Sequence, residues 1–586
     1  MPGYIPPLAD FGFLLRDWLT INEHYAALGL EDFDADLAME VVEQGGKFAA
    51  DVVAPLNREG DEQGCRLADG KVTTPEGFAA AYHSYVENGW NAMLGDVNYG
   101  GQGLPYSMAV PVHEMLNSAN LSWRLTTMLT ESAVLAISKH ASESLKATYL
   151  EKLVTGEWTG TMNLTEPHAG TDLSLLSTKA EPNDDGSFTI TGSKIFITAG
   201  DHDWTDNIIH MVLARLPDAP PGVKGISLFL VPKFLLDANG TPDKPNALGP
   251  SAIEKKMGIK ASPTCVMNFD GATGWLIGEA NQGLACMFTM MNDARFQVGL
   301  EGLGATEAAF QGALTYARER LQSRAPQGVQ QPDDKADAII HQPDVARMLL
   351  TQKAFAEGCR ALAMLYAKYM DIAHLADDER RDEAEAILQF LTPVCKAFMT
   401  DTGLESTSLG IQVFGGHGYI REWGMEQLMR DVRIAMLYEG TNGIQALDLI
   451  GRKLTRDKQG MLDTTYRALD TLVHDIEQPL TKQAAEQLLN DWYITSQAVK
   501  DFDAVNAASG ACDYLHYTGY ALLGVLWYSM ADAASRCDNP NISEGKQKTC
   551  KFYIERLLPR MQGHKAALFS GASNLLDISG SEFDYL

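Results

Sequence analysis

The sequence is poor in cysteine: eight residues in 586, scattered, with no C-x-x-C pair. That excludes a disulfide scaffold and a zinc ribbon, and leaves buried, reduced thiols in a cytoplasmic protein as the expectation. No apolar run approaches the ~18 residues of a membrane-spanning helix. The opening stretch, MPGYIPPLADFGFLLRDWL, sets Asp10 and Arg16 among its apolar residues and lacks a basic n-region followed by a small-residue cleavage site. Neither a signal peptide nor integral membrane association is therefore expected. Basic charge is also scarce, 47 Lys+Arg against 76 Asp+Glu, for a formal net charge of -29. Such a field repels nucleic-acid backbones and anionic bilayers at long range, so nucleic acid is a poor partner. Any polyanionic ligand must be met by particular arginines.

Several catalytic motifs are missing as well. There is no G-x-x-x-x-G-K-[ST], no H-E-x-x-H and no G-x-S-x-G, so triphosphatase, zinc-protease and esterase readings have no anchor. His113-Glu114 and His417 have no partner at ligand spacing; they read as surface or core residues, and no metal site is expected. Gly299, Gly302 and Gly304 lie inside a helical period with no strand before them, which favours close helix packing over a dinucleotide loop. The mixed-sign run DDERRDEAE (377–385) reads as a solvated face.

What is present is ordinary globular material: 45% hydrophobic and 21% charged residues. The length exceeds a single core and predicts about three or four packed domains. The fold class expected is α+β, mainly helical. Helical spacing predicts an N-terminal leader and helical domain over 1–155. Short β-branched runs cut by Gly, Pro and Asp turns predict a central antiparallel, barrel-like β domain over 156–282. Helical period then returns as a bundle over 283–455, broken by a polar loop at 327–337, and an additional helical domain follows over 456–586.

The stretch QVFGGHGYIREWGMEQLMRDVRIAMLYEGTNGIQ, Gln412 to Gln445, is the most informative. One helix should stop at Gly415-Gly416, and a short helix should run through Arg433. A turn should then present Glu439-Gly440 ahead of a helix capped by Thr441 or Asn442. A carboxylate just before a helix N-terminus, where free N–H groups attract phosphate or a carbonyl oxygen, can be a reacting group or can simply support the helix start.

This block resembles the signature of the acyl-CoA dehydrogenase family, in which the glutamate of Y-E-G-T is the catalytic base. A second signature precedes it in the predicted β region: MNLTEPHAGTDL, Met162 to Leu173, then KIFITAGDHDW, Lys194 to Trp204. The resemblance covers roughly residues 30–455. It implies an FAD enzyme with Glu439 as base. It places Met162, Leu164, Thr165, Gly170, Thr171, Phe196 and Thr198 against the flavin ring or its linker. Arg320 and Gln322, in YARERLQSR, match an arginine helix that reaches the ADP part across a dimer interface, with Gln412, Gly415 and Gly416 completing that pocket and Thr441 a further cofactor contact. Asn292 and Arg295, in NDAR, match substrate contacts, as do Thr171 and Gly440. A minority of the family takes its base from the position before that arginine, which here is Ala294. Two departures concern the adenine end: Ser323 stands where an aromatic is usual, and Gly443 where many members carry glutamine.

By resemblance, the reaction is α,β-dehydrogenation of an acyl-CoA thioester to trans-2-enoyl-CoA, in fatty-acid β-oxidation or 3-methylmercaptopropionyl-CoA-type catabolism. Electrons would pass to an electron-transfer flavoprotein. The tail and leader resemble the larger subgroup with very-long-chain and 3-methylmercaptopropionyl-CoA dehydrogenases, which implies a homodimer. An oxygen-using acyl-CoA oxidase and a DNA-associated flavoprotein of the same fold stand as alternatives; acidity and the intact Y-E-G-T count against the second.

Overall fold

A computed structural model describes residues 3–578 and 580–584. The chain divides into two compact units. One comprises Met1–Lys47, Tyr106–Ser118 and Val298–Leu586; the other comprises Phe48–Pro105 and Ala119–Gln297.

In the second of these, β-branched and aromatic runs form a seven-stranded sheet that curls on itself. Thr264–Ile277 pairs with Phe188–Thr198, which pairs with Lys179–Pro182, which meets Ile208–Arg215. Ile226–Pro232 then joins Ile208–Arg215 back to Thr264–Ile277 and closes the ring. Val212, Ala214, Phe229, Val231, Cys265, Met267 and Phe269 fill the interior, each 2% exposed or less. One expectation is corrected here, because the pairing is mixed rather than purely antiparallel. Thr159–Asn163 runs parallel to Ile208–Arg215, as does the Lys179–Arg215 contact. The long excursion between residues 163 and 208 supplies the crossover that a parallel pair requires. Ile208–Arg215 is accordingly buried at every position but its last, without the alternation that marks a half-exposed strand.

A second correction lies in the region read as helical throughout. Arg66–Ala68 and Lys71–Thr73 form a small hairpin through Asp69 (φ 50°) and Gly70 (φ 73°). Three-residue strands are too short to show a period, and the Asp-Gly turn was the signal available.

The other unit is built on long helices. Gly299, Gly302 and Gly304 have the close-packing role expected of them, a Cβ at Gly304 lying 2.8 Å from Ser118 N, and Gly403 joins them. A Cβ at Gly302 would lie 2.3 Å from Met399 O, one at Gly299 2.8 Å from Cys395 O, and one at Gly403 2.7 Å from Gly302 O. Helices Met461–His474, Pro479–Lys500 and Ala504–Ser535 of the tail bury Trp492, Tyr514 and Trp527 in the same unit. The cysteines are all free, but Cys512 is exposed and Cys65 and Cys537 are half-buried, so the expectation of uniformly buried thiols is corrected. Among the described residues no helix is long and apolar enough to cross a membrane, and no cluster of three or more potential ligands could hold a metal.

Candidate active site

The helix Arg380–Phe414 ends at Gly415, whose φ of 58° ends the helical ladder. A short helix, Met425–Val432, continues through a tighter turn to Met436. The chain then enters two successive left-handed residues, Glu439 (φ 55°) and Gly440 (φ 82°). Glycine adopts this freely, whereas for Glu439 it costs roughly 1 kcal/mol or more. The turn is held from several sides. Gln445 Nε2 donates to Glu439 O at 2.9 Å, and Lys396 Nζ donates to Gly440 O at 2.9 Å. Lys396 is fully buried in the middle of its helix and also donates to Asn442 Oδ1 at 2.8 Å. Thr441 takes the N-cap, accepting from Ile444 N at 3.3 Å, and Asn442 begins the helix that runs to Ile450. On the other side Tyr438 donates its hydroxyl to Glu301, which is wholly buried. Burial, then the Glu301 and Glu439 carboxylates, push the Tyr438 hydroxyl well above its usual value, so it stays a donor. The half-buried Glu439 thus sits on a backbone that cannot easily relax.

In the barrel unit, Met162 lies on Thr159–Asn163, Leu164 and Thr165 leave its end, and a loop carries Gly170 and Thr171. That loop is tied down by a residue the sequence reading passed over. Glu166, 2% exposed, accepts from Ser177 N and Oγ (2.8 and 2.7 Å), from Thr178 N and Oγ1 (3.0 and 2.6 Å) and from Lys194 Nζ (2.9 Å). Burial alone would raise this carboxyl, but the Lys194 charge and the hydroxyl donors outweigh it and hold it at about 2. Burial pulls Lys194 the other way from its usual range, to about 8, against the pull of Glu166. Because Glu166 titrates in the unfolded chain near the ordinary 4.5, the stability it contributes is complete above that pH and is lost as pH falls toward 2. Protection of the amides across 164–178, taken relative to the intrinsic exchange rate at each pH, should therefore fall over that acidic window; protection that stays flat would sink the assignment.

Beside Lys194 the strand bulges. Ile197 faces Cys265 and Lys194 faces Met267, so Ile195 and Phe196 together oppose Val266. Phe196 takes φ 61° and is 60% exposed. Bulges are over-represented next to active sites, so a strained and exposed aromatic on one makes Phe196 a candidate ligand contact. The hydroxyls of Thr165, Thr171 and Thr198 have no side-chain partner among the described residues, and Gly170 has only Thr165 Cγ2 at 4.0 Å around its missing Cβ.

Asn292 is exposed and Arg295 buried, with Arg295 Nη1 donating to Asn292 Oδ1 at 3.3 Å and its guanidinium 5.8 Å from the Phe288 ring centroid. Between them Asp293 is buried and accepts from Ser132 Oγ at 2.6 Å. Burial first, and Glu131 after it, raise this carboxyl to about 7, and Ala294 is fully buried.

Arg320, Gln322, Gln412, Gly415 and Gly416 are all exposed. Tyr316 stacks on Phe414 at 4.2 Å and shares a hydrogen bond with His417 Nδ1 at 2.9 Å, drawing the end of the YARER helix to the end of Arg380–Phe414. Ser323 has φ 61°, and the polar loop beyond it is organised around Asp337. The N–H groups of Ala325, Gln330 and Gln331 and the Arg324 side chain donate to Asp337, holding its carboxyl at about 2. His417 itself lies flat on Trp423 at 4.3 Å, a packing residue as expected.

Residues 19–157, 161–272 and 281–455 match the N-terminal, middle and C-terminal domains of acyl-CoA dehydrogenase, and 468–579 match the acetyl-CoA dehydrogenase C-terminal-like domain. Over 454 residues the chain is 46% identical to 3-methylmercaptopropionyl-CoA dehydrogenase of Ruegeria pomeroyi, covering 78% of this chain and 77% of that one. The chain belongs to the acyl-CoA dehydrogenase family. A butyryl-CoA dehydrogenase of Syntrophomonas wolfei is 34% identical over 99% of both chains. The acyl-CoA dehydrogenase complexed with FAD from Bacillus anthracis shares the fold at a TM-score of 0.72 and 20% identity, over 92% of this chain and 88% of that one. The protein is accordingly an oxidoreductase of the acyl-CoA dehydrogenase kind.

Within this family member, sequence reasoning missed Glu166, Asp293, Glu301, Tyr438 and Lys396. A signal existed for Lys396, a lone charge in the apolar run TPVCKAFM, and for Lys194 in KIFI, where a strand that carries buried apolar residues admits a cation. Charges in such places are buried only with a partner.

Proposed function

We propose that the chain dehydrogenates an acyl-CoA thioester at its α,β-bond, with Glu439 removing the α-proton and FAD as the resident cofactor. The observation that carries this is the strained, multiply anchored turn that presents a half-buried carboxylate at the start of helix Asn442–Ile450. An α-proton beside a thioester is only weakly acidic, so the base must be held in line and the developing oxygen charge met by donors. Backbone N–H groups at the mouth of Asn442–Ile450 are of the right kind for that charge.

The residues present fit a flavin. Exposed Phe196 and half-buried Met162 and Leu164 offer apolar faces, while Thr165, Thr171 and Thr198 offer hydroxyls with no side-chain partner among the described residues and Gly170 leaves room for close approach. Arg320, Gln322, Gln412, Gly415, Gly416 and Thr441 would hold the ADP part and linker. When bound, FAD supplies a hydride acceptor for the β-hydrogen. Asn292, Arg295, Thr171 and Gly440 would position the CoA ester, whose phosphates require such local donors on a chain of net charge -29. An electron-transfer flavoprotein is the proposed reoxidant and the cytoplasm the proposed compartment. A homodimer is the proposed assembly, supported by the exposed apolar residues Tyr419 (82%), Ile420 (46%) and Leu321 (38%).

The deciding experiment mixes the FAD-loaded protein anaerobically with a panel of acyl-CoAs and follows bleaching of the flavin. The 46% identical relative puts 3-methylmercaptopropionyl-CoA first in that panel, with butyryl-CoA and longer straight chains beside it. Bleaching by at least one thioester with release of the 2-enoyl product is expected; no bleaching across the panel would overturn the proposal. Rapid reoxidation by air with peroxide release would instead identify an oxidase.

A further inference from the structure

The side chain of Asn442 does more than begin a helix. While its Oδ1 accepts from Lys396, its Nδ2 reaches Ala397 O at 3.2 Å, Thr400 Oγ1 at 3.0 Å and Asp401 Oδ1 at 2.8 Å. The other oxygen of Asp401 lies 3.1 Å from His516 Nε2, on the tail helix Ala504–Ser535. Both neighbours ask Asp401 to accept, so this pattern assigns the ring hydrogen of His516 to Nε2.

The reach of His516 depends on a close helix crossing. A Cβ at Gly519 would lie 2.3 Å from Phe398 Cδ2, so only glycine permits the approach. Gly519 and His516 are one turn apart on the tail helix, as Phe398 and Asp401 are on theirs, and the crossing therefore sets the second pair opposite each other. From the tail side His516 is fixed by stacking on His564, with centroids 5.0 Å apart and rings 14° from parallel, and His564 Nδ1 is in turn 3.0 Å from Asp513 Oδ1. Helix Asn442–Ile450 also packs on Ala504–Ser535.

We infer that the tail is part of the catalytic apparatus: the chain His516, Asp401, Asn442 and Lys396 holds the Glu439-Gly440 turn in its left-handed conformation, making Asp401 and His516 positioning residues for the reaction. This rests on the reading of Glu439 as the base. A strained turn relaxes when its clamps loosen, and a base displaced by a fraction of an ångström loses alignment with the α-carbon.

The test uses the FAD-loaded full chain with Asp401→Ala and His516→Ala, and Asp401→Asn and His516→Gln as conservative partners. In the alanine variants the anaerobic bleaching rate should fall roughly 10-fold, with FAD content and half-saturating acyl-CoA unchanged. Amide exchange in 438–445 should quicken before any substrate is added, while 356–366 keeps its protection. Asp401→Asn, which still accepts from Asn442, should recover most of both. Wild-type bleaching and wild-type exchange in both alanine variants would overturn the inference. So would exchange that rises evenly across the unit without recovery in Asp401→Asn, since that describes a loss of general stability. Normal bleaching in Glu439→Gln would remove the base reading alone, because the exchange of 438–445 reports on the brace independently.

Discussion

Glu439→Gln should bind FAD normally and keep the wild-type unfolding midpoint, yet be bleached by its acyl-CoA about 10³-fold more slowly, within the range a positioned general base contributes. Glutamine has nearly the volume of glutamate and meets the same left-handed backbone at φ 55°, so the turn and its bonds to Gln445 and Lys396 survive. What is lost is the basicity of the carboxylate, since an amide oxygen is far too weak a base to take the α-proton. The alternative position that the family resemblance implies is Ala294, which is fully buried and has no basic atom, so that position cannot supply a second base. Glu439→Asp should fall between the two, since one methylene withdraws the carboxylate by more than an ångström without abolishing it. Stopped-flow bleaching of the three proteins under anaerobic conditions is the measurement. A glutamine variant bleached at the wild-type rate would end the case for Glu439.

Arg360→Met should destabilise the helical unit by about 3–5 kcal/mol, the cost of leaving buried carboxylates without their cation. Arg360 is 1% exposed and donates to Glu114 Oε1 at 2.6 Å, to Glu307 Oε2 at 2.7 Å and to Asp10 Oδ2 at 2.6 Å. Asp10 keeps Lys546 at 2.5 Å, so the loss falls chiefly on Glu114 and Glu307. Burial raises the Glu114 carboxyl to about 7 even with Arg360 opposing it. Between the ordinary 4.5 and about 7, then, the native state holds a proton that the unfolded chain has released, and wild-type stability should fall as pH rises through that window. Without Arg360 the native preference for the proton grows. The gap between variant and wild type in urea midpoint should thus be wider at pH 8 than at pH 5. Adding Glu114→Gln and Glu307→Gln to Arg360→Met should return much of the lost stability. An equal gap at both pH values, or a variant as stable as wild type, would show that the guanidinium is not what neutralises this cluster.

The two cases differ in how far the chain alone announced them. Glu439 was legible because its neighbours in sequence, Tyr438, Gly440 and Thr441, are also its neighbours in space, and the turn chemistry is local. Phe196 was named as a candidate, but the bulge that exposes it depends on the register of Thr264–Ile277, some seventy residues away. Arg360 left no trace at all. Its acceptors stand 350, 246 and 53 residues off, and each appears in sequence as one more charge on a helix. Glu114 was passed over with His113 for lack of a ligand partner, and its true partner is on another helix.

By itself the sequence determined the helical, then β, then helical order, the stop at Gly415, the Glu-Gly turn and its Thr441 cap, and the glycine seam. All of these follow from the conformational range of single residues and from periods of a few positions. Tertiary structure decided the mixed pairing of the barrel, the closing of its ring, the burial of Lys194, Lys396 and Arg360, and the bond from His516 to Asp401. A charge can enter the interior only when a partner and its hydrogen bonds arrive with it. Which partner arrives is set by the packing of elements far apart in the chain.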